Sequence, residues 1–123
     1  MIGFSQGGLI ARYIAQDCPI KVRNLITVGT PNMGVTDTPL CSVTELSRGL
    51  QALCSLVNYA SKSIVYKDFL KNFSSTGYFR DSDNLEEYLA KSTFLTFLNN
   101  EVAHEKSSLY RDSITNLNSA TFI

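Results

Sequence analysis

The sequence predicts a mixed α/β chain built around half of a strand-helix-strand unit, and three observations lead there. Gly3-Phe4-Ser5-Gln6-Gly7, followed by Gly8, opens the chain with the form G-x-S-x-G. Apolar residues at helical spacing come next, and then a short run rich in β-branched residues that closes at a glycine. A tight turn, a helix and a strand in that order are half of a βαβ unit, which belongs to a parallel sheet covered by helices.

The opening pattern is short enough to arise by chance, so its context decides. A nucleophile elbow of the α/β-hydrolase type needs a strand leading in and a helix leading out, with a turn so tight that its flanks accept only small residues. Only Met1-Ile2 precedes the pattern, so the chain is expected to be part of a longer hydrolase, with an incomplete sheet. In residues 6–16, Leu9, Ile10, Tyr13 and Ile14 recur at helical spacing and are read as the apolar face of a helix. That run stops at Asp17-Cys18-Pro19, where the proline cannot continue it. Asn24-Leu25-Ile26-Thr27-Val28 reads as a buried strand ending at Gly29, with Pro31 beyond.

Residues 35–99 read as mostly helical with loops between. Leu46, Leu50, Leu53 and Val57, then Ile64, Val65 and Phe69, are spaced as helix faces packing on a core, in preference to lining an acyl groove. Asp81-Ser82-Asp83-Asn84 is suited to cap a helix over residues 85–90, with Glu86 and Glu87 in its first turn. Residues 106–118, with Leu109, Ile114 and Leu117, read as a further helix, and residues 120–123 as a strand beginning. The chain is thus expected to be one partial domain: elbow, helix and strand over 1–34, a mainly helical insertion over 35–105, and a helix with the start of a strand over 106–123.

Composition narrows the function classes. With 44% hydrophobic and 18% charged residues over 123 positions, the balance is that of a globular chain. Eleven basic and eleven acidic residues cancel and are scattered, which argues against a nucleic-acid partner, because that needs a basic face. No apolar run is long enough to span a bilayer, and the first residues have neither the basic region nor the long apolar stretch of a signal peptide. Cys18, Cys41 and Cys54 form no C-x-x-C pair, which argues against a zinc ribbon or a thioredoxin-type site. Cys41 and Cys54 are near enough in sequence for a local disulfide loop, with buried free thiols as the alternative, whereas Cys18 needs a partner elsewhere. Asn72-Phe73-Ser74 is an N-glycosylation sequon. Cysteines and sequon together lean towards the secretory pathway.

A serine hydroxyl is a weak nucleophile until a histidine takes its proton and a carboxylate orients that histidine. Elbow enzymes carry these groups in the order Ser, Asp or Glu, His. The sequence holds one histidine, His104, with nine carboxylates between it and Ser5. The acid and base of this fold normally follow later strands, and only one complete strand is readable after Ser5. His104, in the polar stretch 99–106, therefore reads as a solvated loop histidine.

Beyond the elbow, Cys18-Pro19, the strand at 24–29, Gly34-Val35, Pro39-Leu40-Cys41, Cys54, residues 59–65 and Gly77-Tyr78-Phe79-Arg80-Asp81 follow in an order that resembles the palmitoyl-protein thioesterases. The resemblance is sharpest over residues 88–101, where Ser92-Thr93-Phe94-Leu95 and Leu98-Asn99-Asn100-Glu101 look like that family's "S-x-F-L" and "L-N-N-E". It implies hydrolysis of the thioester between a long-chain fatty acid and cysteine in S-palmitoylated proteins or peptides, typically in the lysosome, with no metal or organic cofactor. Ser5 matches the nucleophile that becomes acylated, and the backbone N–H of Gln6 matches an oxyanion-hole donor. Cys41 and Cys54 match a disulfide pair, and Cys18 matches a cysteine whose partner lies upstream of the elbow. The family's catalytic aspartate and histidine would fall beyond Ile123, so the 123-residue chain is expected to be inactive by itself. One departure stands out: after Gly29 the family commonly has a glycine and then a histidine, where this chain has Thr30-Pro31-Asn32-Met33. The alternatives are another serine acyl hydrolase, a lipase or carboxylesterase, and a non-catalytic paralogue or binding module.

Overall fold

A computed structural model describes residues 1–36 and 76–123. Cys41, Cys54, Asn72 and the apolar spacings at 46–69 lie outside the described residues. The chain divides into two compact units, Met1–Met33 with Phe94–Ile123, and Gly34–Thr93.

The first unit holds a three-stranded parallel sheet in the order β1-β2-β3, with β1 at Ile2–Phe4, β2 at Asn24–Val28 and β3 at Ser119–Phe122. Ile2 pairs with Ile26 and Phe4 with Val28; on the other side of β2, Asn24 pairs with Ser119 and Thr27 with Phe122. The ladder runs one residue further, because Gly29 N–H donates to the Ile123 carbonyl at 2.7 Å. The sequence shows only the start of β3, yet that start already completes a register with β2. Three residues suffice for β1 because its edge is held from both ends: the Met1 carbonyl accepts from Ile26 N–H at 3.0 Å, and Ser5 N–H donates to the Val28 carbonyl at 2.9 Å.

Helix α1 spans Gln6–Asp17 and ends where Pro19 forbids continuation. Its buried face differs from the expected stripe. Ile10 is 54% exposed and Tyr13 38%, whereas Leu9, Ala11, Arg12, Ala15 and Gln16 are buried. Ala11 and Ala15 pack on Leu25, a fully buried residue of β2, with Val22, Ile114 and Leu117 closing the cluster. Small residues one turn apart bring the helix close to the sheet, which lets the long side chains of Arg12 and Gln16 sink beside them.

Those two polar residues are tolerated because partners distant in sequence meet them. Gln16 Nε2 donates to the Leu98 carbonyl at 3.0 Å. Arg12 Nη1 donates to the carbonyl and Oδ1 of Asn32, both at 3.2 Å, and Arg12 Nη2 to Asn99 Oδ1 at 2.8 Å. Asn99 Nδ2 returns a bond to the Asn32 carbonyl at 3.0 Å, and Asn32 Nδ2 donates to the fully buried Thr27 Oγ1 at 3.1 Å. Desolvation holds the Arg12 guanidinium below its ordinary value. Arg12 Nε and Gln16 Oε1 remain buried without hydrogen-bond partners.

Asn99 owes its position to a short helix, α3, at Leu95–Leu98. Asn100 N–H donates to the Phe97 carbonyl at 2.9 Å and Glu101 N–H to that of Thr96 at 2.8 Å. That paired closure is a Schellman cap, whose turning residue must be left-handed. Asn100 takes that role at φ 56, and asparagine tolerates it better than most residues. Helix α4 follows at Ser107–Thr115, somewhat shorter than the span 106–118 predicted from sequence.

Asp17 and Lys106 stand at electrostatically unfavourable helix ends, an acid closing α1 and a base at the N-cap of α4. Their ion pair at 2.6 Å offsets both, and Tyr13 Oη adds a 2.7 Å bond to the same carboxylate.

In the second unit, Val35 and Phe79 form a parallel bridge, with Val35 N–H donating to the Tyr78 carbonyl at 3.0 Å. Helix α2 spans Leu85–Lys91 and is capped as expected: Asn84 Oδ1 accepts from Glu87 N–H at 3.2 Å. Asp81 fixes the entry by accepting from the N–H groups of Asp83 and Asn84.

Two outcomes follow. Arg12→Met removes the guanidinium donors to Asn32 and Asn99 while retaining most of the packing volume, and it is expected to cost about 2–4 kcal/mol in urea unfolding. The Lys106 and Tyr13 hydrogen bonds hold the Asp17 carboxyl below its ordinary value. The stabilisation is therefore fully present above the unfolded value of about 3.9 and is lost as pH falls through the lower folded value. The stability difference between the native chain and Asp17→Asn should accordingly be constant from neutral to mildly acidic pH and shrink below about pH 3.9; a difference that grew on acidification would contradict this sign.

Candidate functional site

Ser5 sits between the end of β1 and the start of α1 with φ 49 and ψ −131. No L-residue adopts that combination readily, and such strain of about 1–3 kcal/mol persists only where the surroundings impose it. Gly3 shows what does so. A Cβ on Gly3 would lie 2.5 Å from Gly8 Cα and 2.7 Å from the Gly7 carbonyl oxygen, both backbone atoms that cannot step aside. The strand and the returning helix are therefore in backbone contact, and the chain reverses at Ser5.

The second small position is Gly8, not the Gly7 of the pattern. A Cβ on Gly7 would meet nothing within 4 Å, whereas one on Gly8 would overlap Thr30 Oγ1 and lie 2.7 Å from Thr30 Cγ2. The expectation that both flanks of the pattern must be small is thus corrected at Gly7. The doubled glycine at 7 and 8 was the sequence signal, but only the structure tells which of them is needed.

Ser5 is exposed. Although serine is a favoured N-cap, its side chain makes no capping bond here. Gln6 is the first residue of α1, so its N–H is one of the first helical amides, which have no intrahelical partner. The positive end of the helix dipole lies at the same point. An exposed hydroxyl, an adjacent unspent amide and a helix N-terminus are together suited to an anion developing beside Ser5.

His104 is not the solvated loop histidine read from the sequence. Its Nε2 lies 3.2 Å from the Phe97 carbonyl, which can only accept, so Nε2 carries the proton in that contact. The ring stands edge-on between Phe97 and Tyr110, at centroid distances of 5.2 and 5.0 Å. His104 backbone N–H donates to Ser107 Oγ at 2.9 Å. These contacts make it a half-buried anchor of the loop before α4. A cleft of about 600 Å³ lies beside α1, lined by Arg12, Gln16, Leu98, Tyr110, Ile114 and Phe122 among others, and Ser5 is not part of its wall. Cys18 is a half-buried free thiol at the end of α1.

Sequence reading missed Arg12, Asn32, Asn99 and Thr30. A signal existed for the first: the pairs Ala11-Arg12 and Ala15-Gln16 repeat one helical turn apart, which marks a close-packed face with polar residues on it.

A mixed α/β chain whose parallel sheet presents a strained serine turn at the mouth of a helix is the class defined by fold and site. The family model described as palmitoyl protein thioesterase matches residues 1–123, and the chain belongs to that family. It is 36% identical over 107 residues to a palmitoyl-protein thioesterase-dolichyl pyrophosphate phosphatase fusion of Schizosaccharomyces pombe, covering 85% of this chain and 16% of that protein. It is 31% identical to palmitoyl-protein thioesterase 1 of Caenorhabditis elegans, over 99% of this chain and 39% of the relative. It is 34% identical to the lysosomal thioesterase PPT2-B of Xenopus laevis, over 88% and 35%. The chain therefore spans well under half the length of these relatives.

The steric reading separates the two glycines. Gly3→Ala is expected to lower stability by about 2 kcal/mol or more in denaturant titration, since backbone must move. Gly7→Ala, at a helical position with free space, should be neutral or stabilising by up to about 1 kcal/mol. Equal effects of the two substitutions would refute the assignment.

Proposed function

We propose that this chain carries the acyl-accepting half of a thioesterase that releases long-chain fatty acids from S-acylated cysteine. The observation that carries the proposal is the backbone of Ser5, held at φ 49 and ψ −131 with its side chain exposed at the N-terminus of α1. Strain of this kind costs stability and gives nothing to packing, so a chemical use is its natural account.

Ser5 Oγ attacks the thioester carbonyl carbon and its proton passes to a histidine base. The Gln6 N–H stabilises the oxyanion. The C–S bond then breaks, and the cysteine thiolate takes the proton back from the imidazolium. Water, deprotonated by the same base, cleaves the acyl-serine ester and leaves the fatty acid and free Ser5. His104, whose Nε2 is bonded to the Phe97 carbonyl, is not this base on the present reading, which expects the 123 residues alone to be inactive. S-palmitoylated proteins or peptides are the substrates on this reading, as the relatives' names suggest. A lysosomal setting agrees with the relatives named lysosomal thioesterases, and would suit a Cys41–Cys54 disulfide and a glycan at Asn72. Among the described residues no helix is long and apolar enough to cross a membrane.

In the full-length protein, Ser5→Ala should lower turnover of a palmitoyl thioester by at least about a thousandfold and abolish labelling by a fluorophosphonate. His104→Gln should change kcat/KM by less than about threefold while lowering the melting temperature. Faster turnover of the matching oxygen ester would identify a lipase or carboxylesterase instead, and undiminished turnover by Ser5→Ala would remove the serine from the mechanism.

A further inference from the structure

Gly29 closes β2 at φ 56, a left-handed conformation that suits glycine. The chain turns there and brings Thr30 onto the first turn of α1. The contact is steric and specific: Thr30 Oγ1, Cγ2 and Cβ together fill the volume a side chain at Gly8 would need. Gly8 is itself fixed, with its N–H donating to the Ser5 carbonyl at 3.0 Å and its backbone against Gly3. A push on Gly8 is therefore a push on the turn that starts at Ser5 and carries the Gln6 amide.

Shape rather than hydrogen bonding accounts for the contact. The Thr30 hydroxyl reaches the Val28 carbonyl only at 3.5 Å, the outer limit for such a bond. That carbonyl already accepts from Ser5 N–H at 2.9 Å. Asn32, two residues on, is tied to Arg12 and Thr27, so the segment bearing Thr30 has a firm support.

We infer that Thr30 is a positioning residue for the elbow: wedged against Gly8, it fixes the direction of the first turn of α1 and with it the Gln6 N–H and Ser5 Oγ. It acts through Gly8 and touches no reacting atom. The inference rests on Ser5 being the nucleophile, and its two tests are chosen to fail separately from that reading.

The first test needs no catalysis. In the full chain, Thr30→Ala should speed exchange of the Gly8 amide, which is bonded to the Ser5 carbonyl, about tenfold, and the isosteric Thr30→Val should not. Gly8→Ala should be disruptive, and adding Thr30→Gly should restore melting temperature and exchange towards those of Thr30→Gly alone. A double variant no better than the sum of the singles, or a Thr30→Val that behaves as Thr30→Ala, overturns the wedge. The second test is kinetic. With a palmitoyl thioester, Thr30→Ala should lower kcat about tenfold with KM within about twofold, as expected for misplaced groups, and Thr30→Val should restore kcat. Unchanged kcat in Thr30→Ala, or an equal loss in Asp17→Asn, overturns the positioning role. If the unsubstituted protein does not turn over thioesters, the functional reading fails on its own, and the exchange data still decide whether Thr30 sets the elbow.

Discussion

Backbone meets backbone where β1 passes the first turn of α1, and the rest of the site is built on that approach. Gly3 lies so near Gly7 and Gly8 that no Cβ fits, so strand and helix can be joined only by a reversal within one residue. Ser5 makes that reversal at φ 49. Its N–H is spent on the Val28 carbonyl, which extends the β1–β2 ladder into the turn itself. The strained residue is thus held by the sheet on one side and by a crowded helix start on the other. Its side chain is left exposed, which an ordinary N-cap serine, bonded to its own helix, would not leave so available.

A turn under strain needs a frame that does not slide, and the buried face of α1 supplies one of an unusual kind. Apolar contacts are non-directional. The bonds from Arg12 and Gln16 to Asn32, Leu98 and Asn99 have fixed directions and link segments up to 87 positions apart in sequence. Burying a guanidinium costs stability unless its acceptors are in place, so the three segments are favourable together and costly apart. Two buried atoms, Arg12 Nε and Gln16 Oε1, remain unsatisfied. That is the residual cost of placing a planar donor where a leucine would have been simpler.

Elements set by local chemistry were legible before any coordinates. Pro19 stops α1, Asn84 and Glu87 start α2, and the β-branched run 24–28 forms β2 with the bounds read from sequence. The tight turn at Ser5 was legible as a pattern, though not its dependence on Gly8. Features set by distant partners were not legible. Ile10 and Tyr13 were expected inside because they are apolar, while Arg12 and Gln16 took that face because residues 32, 98 and 99 could satisfy them. His104 was read from its polar neighbours, but its surroundings are Phe97 and Tyr110, one from a helix before the loop and one from the helix after it.

The stretch Leu98-Asn99-Asn100-Glu101 contains no group that reacts on the proposed mechanism. Its physical content is a Schellman closure that needs a left-handed Asn100 and so presents Asn99 to Arg12. Arg12 in turn holds Asn32, and Asn32 anchors the segment that sets Thr30 on Gly8. A residue at 99 lacking both an acceptor and a donor would leave Arg12 short of a bond and the Asn32 carbonyl with Arg12 as its remaining donor, loosening the segment that bears Thr30. Asn99 and the strained geometry at Ser5, far apart in sequence, are therefore two ends of one connected structure.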